Sequence, residues 1–400
     1  MRIGILTFHQ SVNNGAVMQA YSLSRKIKEL YPSCEVEIVD YRMKKVQEGY
    51  SYTLRSYLGQ ASLSKQIRKC LYLVRHPLFL RRNQWRTAVF RGCMAKLPLS
   101  PRCIQSDTPD EVFAYVNERY DILIVGSDAI WNYLSRGYGN AYLPDRSVTC
   151  LKMSYAASCY GMDFLKRPDH EREGIRNALD DFAFVGVRDD ATEELVRWSG
   201  SHAVPVHTCD PTAFLDVNDL PIDEAVLRKK LEKRGFDFSK PTIGMMGSSR
   251  MLKMIRRMYG RQYQIAALYE YTKGADVNLY DLEPYEWAYV FRYFKVTFTT
   301  YFHGTLLSLR NGTPVICVAL ATEFAKVHTP KTLDVLTRLG FADWYFKTDY
   351  QSQNIHEMKR KADEFLSGDY HERILSAMDR EAASFDTFHD ALKQLIEKEV

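Results

Sequence analysis

The sequence lacks a Cys-x-x-Cys pair. Its eight cysteines stand apart at Cys34, Cys70, Cys93, Cys103, Cys150, Cys159, Cys209 and Cys317, which argues against a zinc site or a disulfide framework and predicts reduced thiols in the cytoplasm. No Gly-Lys-Ser closes a Walker loop, and the glycine spacing fails the dinucleotide fingerprint. No apolar run approaches the length of a membrane span. The opening Met1-Arg2-Ile3-Gly4-Ile5-Leu6 has the pattern of a buried strand and lacks the long apolar core expected of a signal peptide. There is no internal repeat and no low-complexity segment. A formal charge of +5 is too small to argue for nucleic acid. What remains is a globular chain of 400 residues, long enough for two domains with a core each.

One further absence is local. From Gly49 to Ser106 there is no Asp or Glu, against eleven Lys and Arg: Arg55, Lys65, Arg68, Lys69, Arg75, Arg81, Arg82, Arg86, Arg91, Lys96 and Arg102. Leu71, Tyr72, Leu73, Phe79, Leu80, Trp85 and Phe90 are interleaved with them. The stretch suits a polyanion, a diphosphate-linked lipid or an anionic membrane surface. A pair of helices with solvated basic faces is the alternative.

The most informative stretch is Val296 to Leu320, reading VTFTTYFHGTLLSLRNGTPVICVAL. A β-branched run predicts a buried strand over 296–300. A helix carrying Leu306, Leu307 and Leu309 follows, Asn311-Gly312 breaks it, and 314–320 is a second strand. In such a β–α–β unit His303-Gly304-Thr305 falls at the strand's carboxyl end, where backbone N–H groups and the helix dipole favour an anion. Gly304 would let a ligand approach the backbone, Thr305 would cap, and His303 is the titratable group, unless it merely caps or packs.

The rest of the chain reads as α/β. A strand over 3–8 leads through Asn13-Asn14-Gly15 into a helix from about Val17, placing Asn14 at a second potential anion site. Val36–Val39 is the next strand, and a helical insertion broken at Pro77, Pro98 and Pro101 follows. The strand 121–125 ends in Gly126-Ser127-Asp128-Ala129-Ile130-Trp131-Asn132, where Asp128 serves as a base, a partner for a sugar hydroxyl, or a helix cap. After the strand 182–187, Arg188 stands where a helix begins. It suits bidentate capture of a carboxylate or phosphate, or a salt bridge to Asp189 or Asp190. Asp210-Pro211 suits a turn near a crevice. A charged connector over 217–240 precedes a second α/β domain, whose loop Gly247-Ser248-Ser249-Arg250 could hold a phosphate if Arg250 is not simply solvated. Helices with aromatic faces are expected next, and a helix over 329–339 carries Lys331 on its first turn. The boundaries expected are 1–216 with the insertion at about 43–106, then 217–354, then C-terminal helices over 355–400 packing back on the first domain.

In order along the chain, these segments resemble one family. Asn13-Asn14-Gly15-Ala16, Gln19-Ala20-Tyr21, Gly126-Ser127-Asp128, Trp131-Asn132, Ser154-Tyr155-Ala156-Ala157-Ser158, Val187-Arg188-Asp189, Asp210-Pro211-Thr212 and Phe302-His303-Gly304-Thr305 are similar to the motifs of bacterial polysaccharide pyruvyl transferases. The resemblance covers nearly the whole chain. It implies two Rossmann-like domains facing across a cleft, as in glycosyltransferases of the B fold. It also implies phosphoenolpyruvate as donor and a pyruvate ketal on a sugar as product. Three positions depart from the pattern: Ala129 where relatives often carry Gln, Tyr301 where some carry Arg, and Lys331 where an Arg is common.

On that resemblance His303 is expected as the acid–base group, poised near neutral pH. Arg188, with Lys331 or Arg250 and the Asn14, Gly304 and Thr305 backbone turns, would hold the donor. Asp128, Trp131 and Tyr301 would face the acceptor. No metal or cofactor is expected, because the donor brings its own leaving group. The acceptor is a sugar, a diphosphate-lipid-linked oligosaccharide included, and contact with the membrane's inner face is peripheral. The alternatives are a nucleotide-sugar glycosyltransferase of the same architecture and a catalytically dead carbohydrate-binding subunit.

Overall fold

The computed structural model describes residues 1–59, 62–133, 137–320, 328–348 and 353–398. Its strands are β1 (Arg2–Leu6), β2 (Glu35–Ile38), β3 (Tyr41–Arg42), β4 (Ile104–Gln105), β5 (Ile122–Val125), β6 (Leu151–Ala157), β7 (Phe184–Val187) and β8 (Pro205–His207). In the second half follow β9 (Thr242–Met246), β10 (Gln264–Leu268), β11 (Val277–Leu279), β12 (Val296–Thr299), β13 (Val315–Leu320) and β14 (Tyr345–Thr348).

Two six-stranded parallel sheets result. The first runs β2-β1-β5-β6-β7-β8 and the second β11-β10-β9-β12-β13-β14. Ile-Leu-Ile-Val in β5 and Thr-Ile-Gly-Met-Met in β9 are buried throughout, as strands must be when helices cover both faces. In each sheet the order reverses beside the first strand, at β1/β5 and at β9/β12. Ligand crevices of open α/β sheets form outside the carboxyl ends at such points.

Four short strands differ from expectation. The segment after Gly260 holds β10 and β11, where helices with aromatic faces were expected, and β8 and β14 complete the sheet edges. Runs of three to five buried residues such as Gln-Ile-Ala-Ala-Leu show no alternation by which to tell strand from helix. The first helix also begins earlier than expected, at Asn14, with the Asn13 side chain accepting from the N–H of Gly15 (3.0 Å).

The basic insertion leaves and returns through the small parallel ladder β3–β4. It consists of helices Lys44–Gly49, Leu54–Leu58, Leu63–Arg75 and Phe79–Met94. The last buries Phe90 and Cys93 in the core, whereas Leu63–Arg75 buries nothing. Trp85 Nε1 donates to Asp281 (3.1 Å) and Lys96 pairs with Glu283 (3.0 Å), tying the insertion to the second half of the chain.

Of the C-terminal helices, Gln353–Ser367 stays on the second sheet, with Met358, Ala362 and Phe365 in that core. Phe385–Lys398 crosses to the first sheet, setting Phe388 against Tyr155 and Phe184. The two terminal residues lie outside the described residues.

Candidate active site

At the end of β12, Thr299 Oγ1 accepts from the N–H of Tyr301 (2.9 Å), and the turned chain starts the helix Phe302–Arg310. His303 is thus the second residue of the helix rather than the residue before it. The Thr305 N–H already donates to the Tyr301 carbonyl (3.0 Å), so Phe302, His303 and Gly304 present the helix's opening N–H groups.

Two expected donor contacts are corrected here. The Thr305 hydroxyl is fully buried and bonded to the Tyr301 carbonyl (3.2 Å) and Cys317 Sγ (3.1 Å), so it faces the core. A β-carbon on Gly304 would lie 2.6 Å from Thr299 Oγ1 and 2.7 Å from Met246 Sδ. The close approach that Gly304 permits is therefore between its own helix and the strands β9 and β12.

Around His303 the two sheets contribute a buried charged cluster. Arg188, at the end of β7, is 2% exposed. Its Nη1 donates to Asp210 Oδ2 (2.9 Å), its Nε lies 3.9 Å from Asp189, and neither Nε nor Nη2 has a hydrogen-bond partner among the described residues. Asp210 follows β8 and also accepts from the amide of Gln19 and from Thr212 (2.7 Å). The Arg188 guanidinium lies 4.9 Å from the centre of the Phe302 ring, and the Lys331 ammonium lies 5.0 Å from the same ring and 5.6 Å from that of Tyr160. Phe302 therefore separates two cations while drawing favourably on both.

His303 Nδ1 is buried, has no hydrogen-bond partner among the described residues, and stands 4.0 Å from Asp210 Oδ1. Burial is the main cause that pushes its pKa down to about 4; Lys331 and Arg188 add to it, and Asp210 and Asp128 oppose it. The expectation of an imidazole poised near neutrality does not match this burial, which favours neutral His303 at pH 7. Burial also lowers the Lys331 pKa, helped by the like charge of Arg188. Burial opposes charge on Arg188 and Asp210 as well. There the ion pairs win, raising the pKa of the guanidinium and lowering that of the carboxyl.

The other expected residues divide. Asp128 joins the cluster through its field at His303, Arg188 and Lys331. Its backbone bridges Ala157 of β6, and its carboxylate accepts from the following N–H (2.7 Å). Asn14 is buried beside Gly15, with Oδ1 unpartnered among the described residues. Tyr301 caps the His303 helix, and its ring packs at a tilt against that of Tyr269, with 4.7 Å between centres. It also lines a cavity of about 380 Å³ with Tyr160, Lys331 and Tyr345.

Trp131, expected to face the acceptor, is 1% exposed, packs edge-on to Phe182 and donates to the Tyr142 carbonyl (2.9 Å), which places it in the core beside the first sheet. Arg250 is exposed on the first turn of its helix, whose N-terminus Ser248 caps, and it does not enter the buried cluster. Asp210, Gln19 and Phe302 stand in the motifs that carry the family resemblance but were given no role in the site; motif membership was the available signal for all three, and for Asp210 also its Asp-Pro turn near a crevice. Among the described residues no group of His, Cys, Asp and Glu is arranged to hold a metal ion.

The family model for polysaccharide pyruvyl transferase matches residues 13–321, well over half of the chain. No curated protein matches by sequence. Among solved structures the chain is similar to UDP-GlcNAc 2-epimerase from Neisseria meningitidis bound to UDP-GlcNAc, at 9% identity and TM-score 0.55, covering 98% of this chain and 100% of that one. It is similar too to a putative UDP-N-acetylglucosamine 2-epimerase from Listeria monocytogenes, at 11% identity and TM-score 0.54, covering 99% and 97%. At these identities the likeness shows the fold alone, two α/β domains each built on a parallel sheet.

Proposed function

We propose that this chain, which belongs to the polysaccharide pyruvyl transferase family, transfers pyruvate from phosphoenolpyruvate to two hydroxyls of a sugar, forming a ketal and releasing phosphate. One observation carries the reading. Arg188 is buried with two of its nitrogens unpartnered among the described residues, beside Lys331 and a helix N-terminus that starts with an unpartnered imidazole. A small ligand with a carboxylate and a phosphate at opposite ends is what such a site would neutralise.

The chemistry follows from the charges. Binding the anionic donor favours protonated His303 and raises its pKa from the low resting value. Imidazolium then delivers a proton to the methylene carbon of the donor. The first hydroxyl bonds the central carbon, and its proton passes to Asp128. Phosphate leaves with the electron pair of its carbon–oxygen bond and takes the proton held by Asp128. The second hydroxyl attacks the resulting cation and returns its proton to His303. Atoms and charge balance without a metal or cofactor.

The basic insertion supports an acceptor at a membrane surface. On the helix Leu63–Arg75 the side chains of Leu63, Ile67, Leu71 and Val74 share one face and are more than half exposed. The segment holding them has no acidic residue. This is the pattern of a helix lying in an anionic membrane surface. No helix among the described residues is long and apolar enough to cross a membrane. A lipid-linked oligosaccharide at the inner, cytoplasmic face is the acceptor that this placement suits.

The test is phosphate release together with acceptor mass after incubation with phosphoenolpyruvate and lipid-linked oligosaccharide. The expected gain is one pyruvate less one water, with one phosphate per ketal. Thermal stabilisation by nucleotide sugars and none by phosphoenolpyruvate would favour the glycosyltransferase alternative instead.

A further inference from the structure

One feature that this chemistry leaves unused is a cavity of about 420 Å³ between the insertion and the second domain. One wall comes from the insertion, with Tyr50, Tyr52, Tyr57 and Tyr72 beside Arg82 and Arg86, and the other from Tyr269, Glu270, Tyr271 and Tyr280. Seven tyrosines line it in all. Tyrosine combines an apolar ring face with a hydroxyl that donates and accepts, and it does so with little side-chain entropy to lose.

Two arginines are set among these rings. Arg82 lies 3.4 Å from the centre of the Tyr271 ring, and Arg86 lies 4.2 Å from that of Tyr269. Arg86 is 6% exposed, and its Nε has no hydrogen-bond partner among the described residues. Glu270 and Asn83 complete the polar lining. Aromatic faces with donors and a carboxylate between them match a sugar ring, which offers C–H faces above and below and hydroxyls around its edge.

The cavity adjoins the His303 site. Tyr269 of its wall packs at a tilt against Tyr301, the residue that caps the His303 helix. Val12 of the same wall stands two residues before Asn14. On the helix Leu63–Arg75, Tyr72 and the following His76 face the cavity from the side opposite the exposed Leu63–Ile67–Leu71–Val74 face.

We infer that this cavity binds the non-reacting sugar units of an oligosaccharide acceptor, placing the terminal unit at His303. The inference rests on the transferase reading for its purpose but not for its test. Gluco-, galacto- and manno-oligosaccharides from monosaccharide to hexasaccharide are titrated calorimetrically into the full chain and into Tyr271→Ala and Arg82→Ala. Stabilisation by phosphoenolpyruvate is measured on all three proteins.

Expected are affinity that rises with the number of units in at least one series, a loss of about tenfold in each variant, and unchanged stabilisation by phosphoenolpyruvate. Binding that neither substitution weakens, or no binding by any member of the three series, overturns the inference. Saccharide binding lost in the variants, with no stabilisation of the wild-type chain by phosphoenolpyruvate, supports the cavity assignment and counts against the transferase reading alone.

Discussion

Gly15 lies so close to His303 that a β-carbon on it would sit 1.9 Å from the imidazole Cδ2 and 2.6 Å from Nε2. The first helix of one domain and the His303 helix of the other therefore meet where only a hydrogen atom fits. Elsewhere in a helix alanine is favoured over glycine by about 1 kcal/mol. Here Gly15→Ala must move the ring. Turnover should fall about 100-fold, as for a misplaced reacting group, with a smaller effect on the melting temperature. Wild-type phosphate release by this variant would show that the ring position does not matter.

Replacing His303 by Gln keeps the volume and removes the proton carrier. Transfer should drop by roughly 10² to 10⁴, while stabilisation by phosphoenolpyruvate persists because the cations remain. Single-turnover phosphate release and a melting curve with donor separate the two effects.

The depressed pKa of His303 makes stability depend on pH. Its ordinary value is 6.5 and its value in the fold is about 4, so between these the unfolded chain binds more protons and stability rises with pH. The contribution is complete above pH 6.5 and is lost as pH falls toward 4. Its size is up to about 3 kcal/mol. Denaturant unfolding of wild type and His303→Gln across that window should show the wild type losing more on acidification. Parallel curves would refute the assignment.

Arg188 and Lys331 should respond differently to removal of charge. Arg188→Met leaves Asp210 buried without its cation and should cost about 3–5 kcal/mol. Lys331→Met relieves repulsion with Arg188 and should leave stability unchanged or slightly raised, while stabilisation by phosphoenolpyruvate falls. Urea unfolding with and without the donor reads both.

Ile67→Glu and Leu71→Glu change exposed side chains and should alter stability by less than about 0.5 kcal/mol. Co-sedimentation with vesicles containing anionic lipid should be lost in both variants, and binding of the wild type should weaken with salt. Wild-type sedimentation by either variant would remove the membrane role of this helix.

By itself the sequence determined the α/β alternation, the β–α–β unit around His303, the basic insertion and the family. Those signals are local: a β-branched run, a turn, an amphipathic period. Arg188 and His303 stood out because each lies where a strand gives way to a helix. The tertiary structure alone decided their partners. Asp210 pairs with Arg188 and Gln19 donates to Asp210 from other elements, and no spacing encodes that meeting. It turned Trp131 into core and left Arg250 in solvent, because burial depends on what packs from elsewhere. It also lowered the His303 pKa, since desolvation belongs to the assembled site and not to the residue.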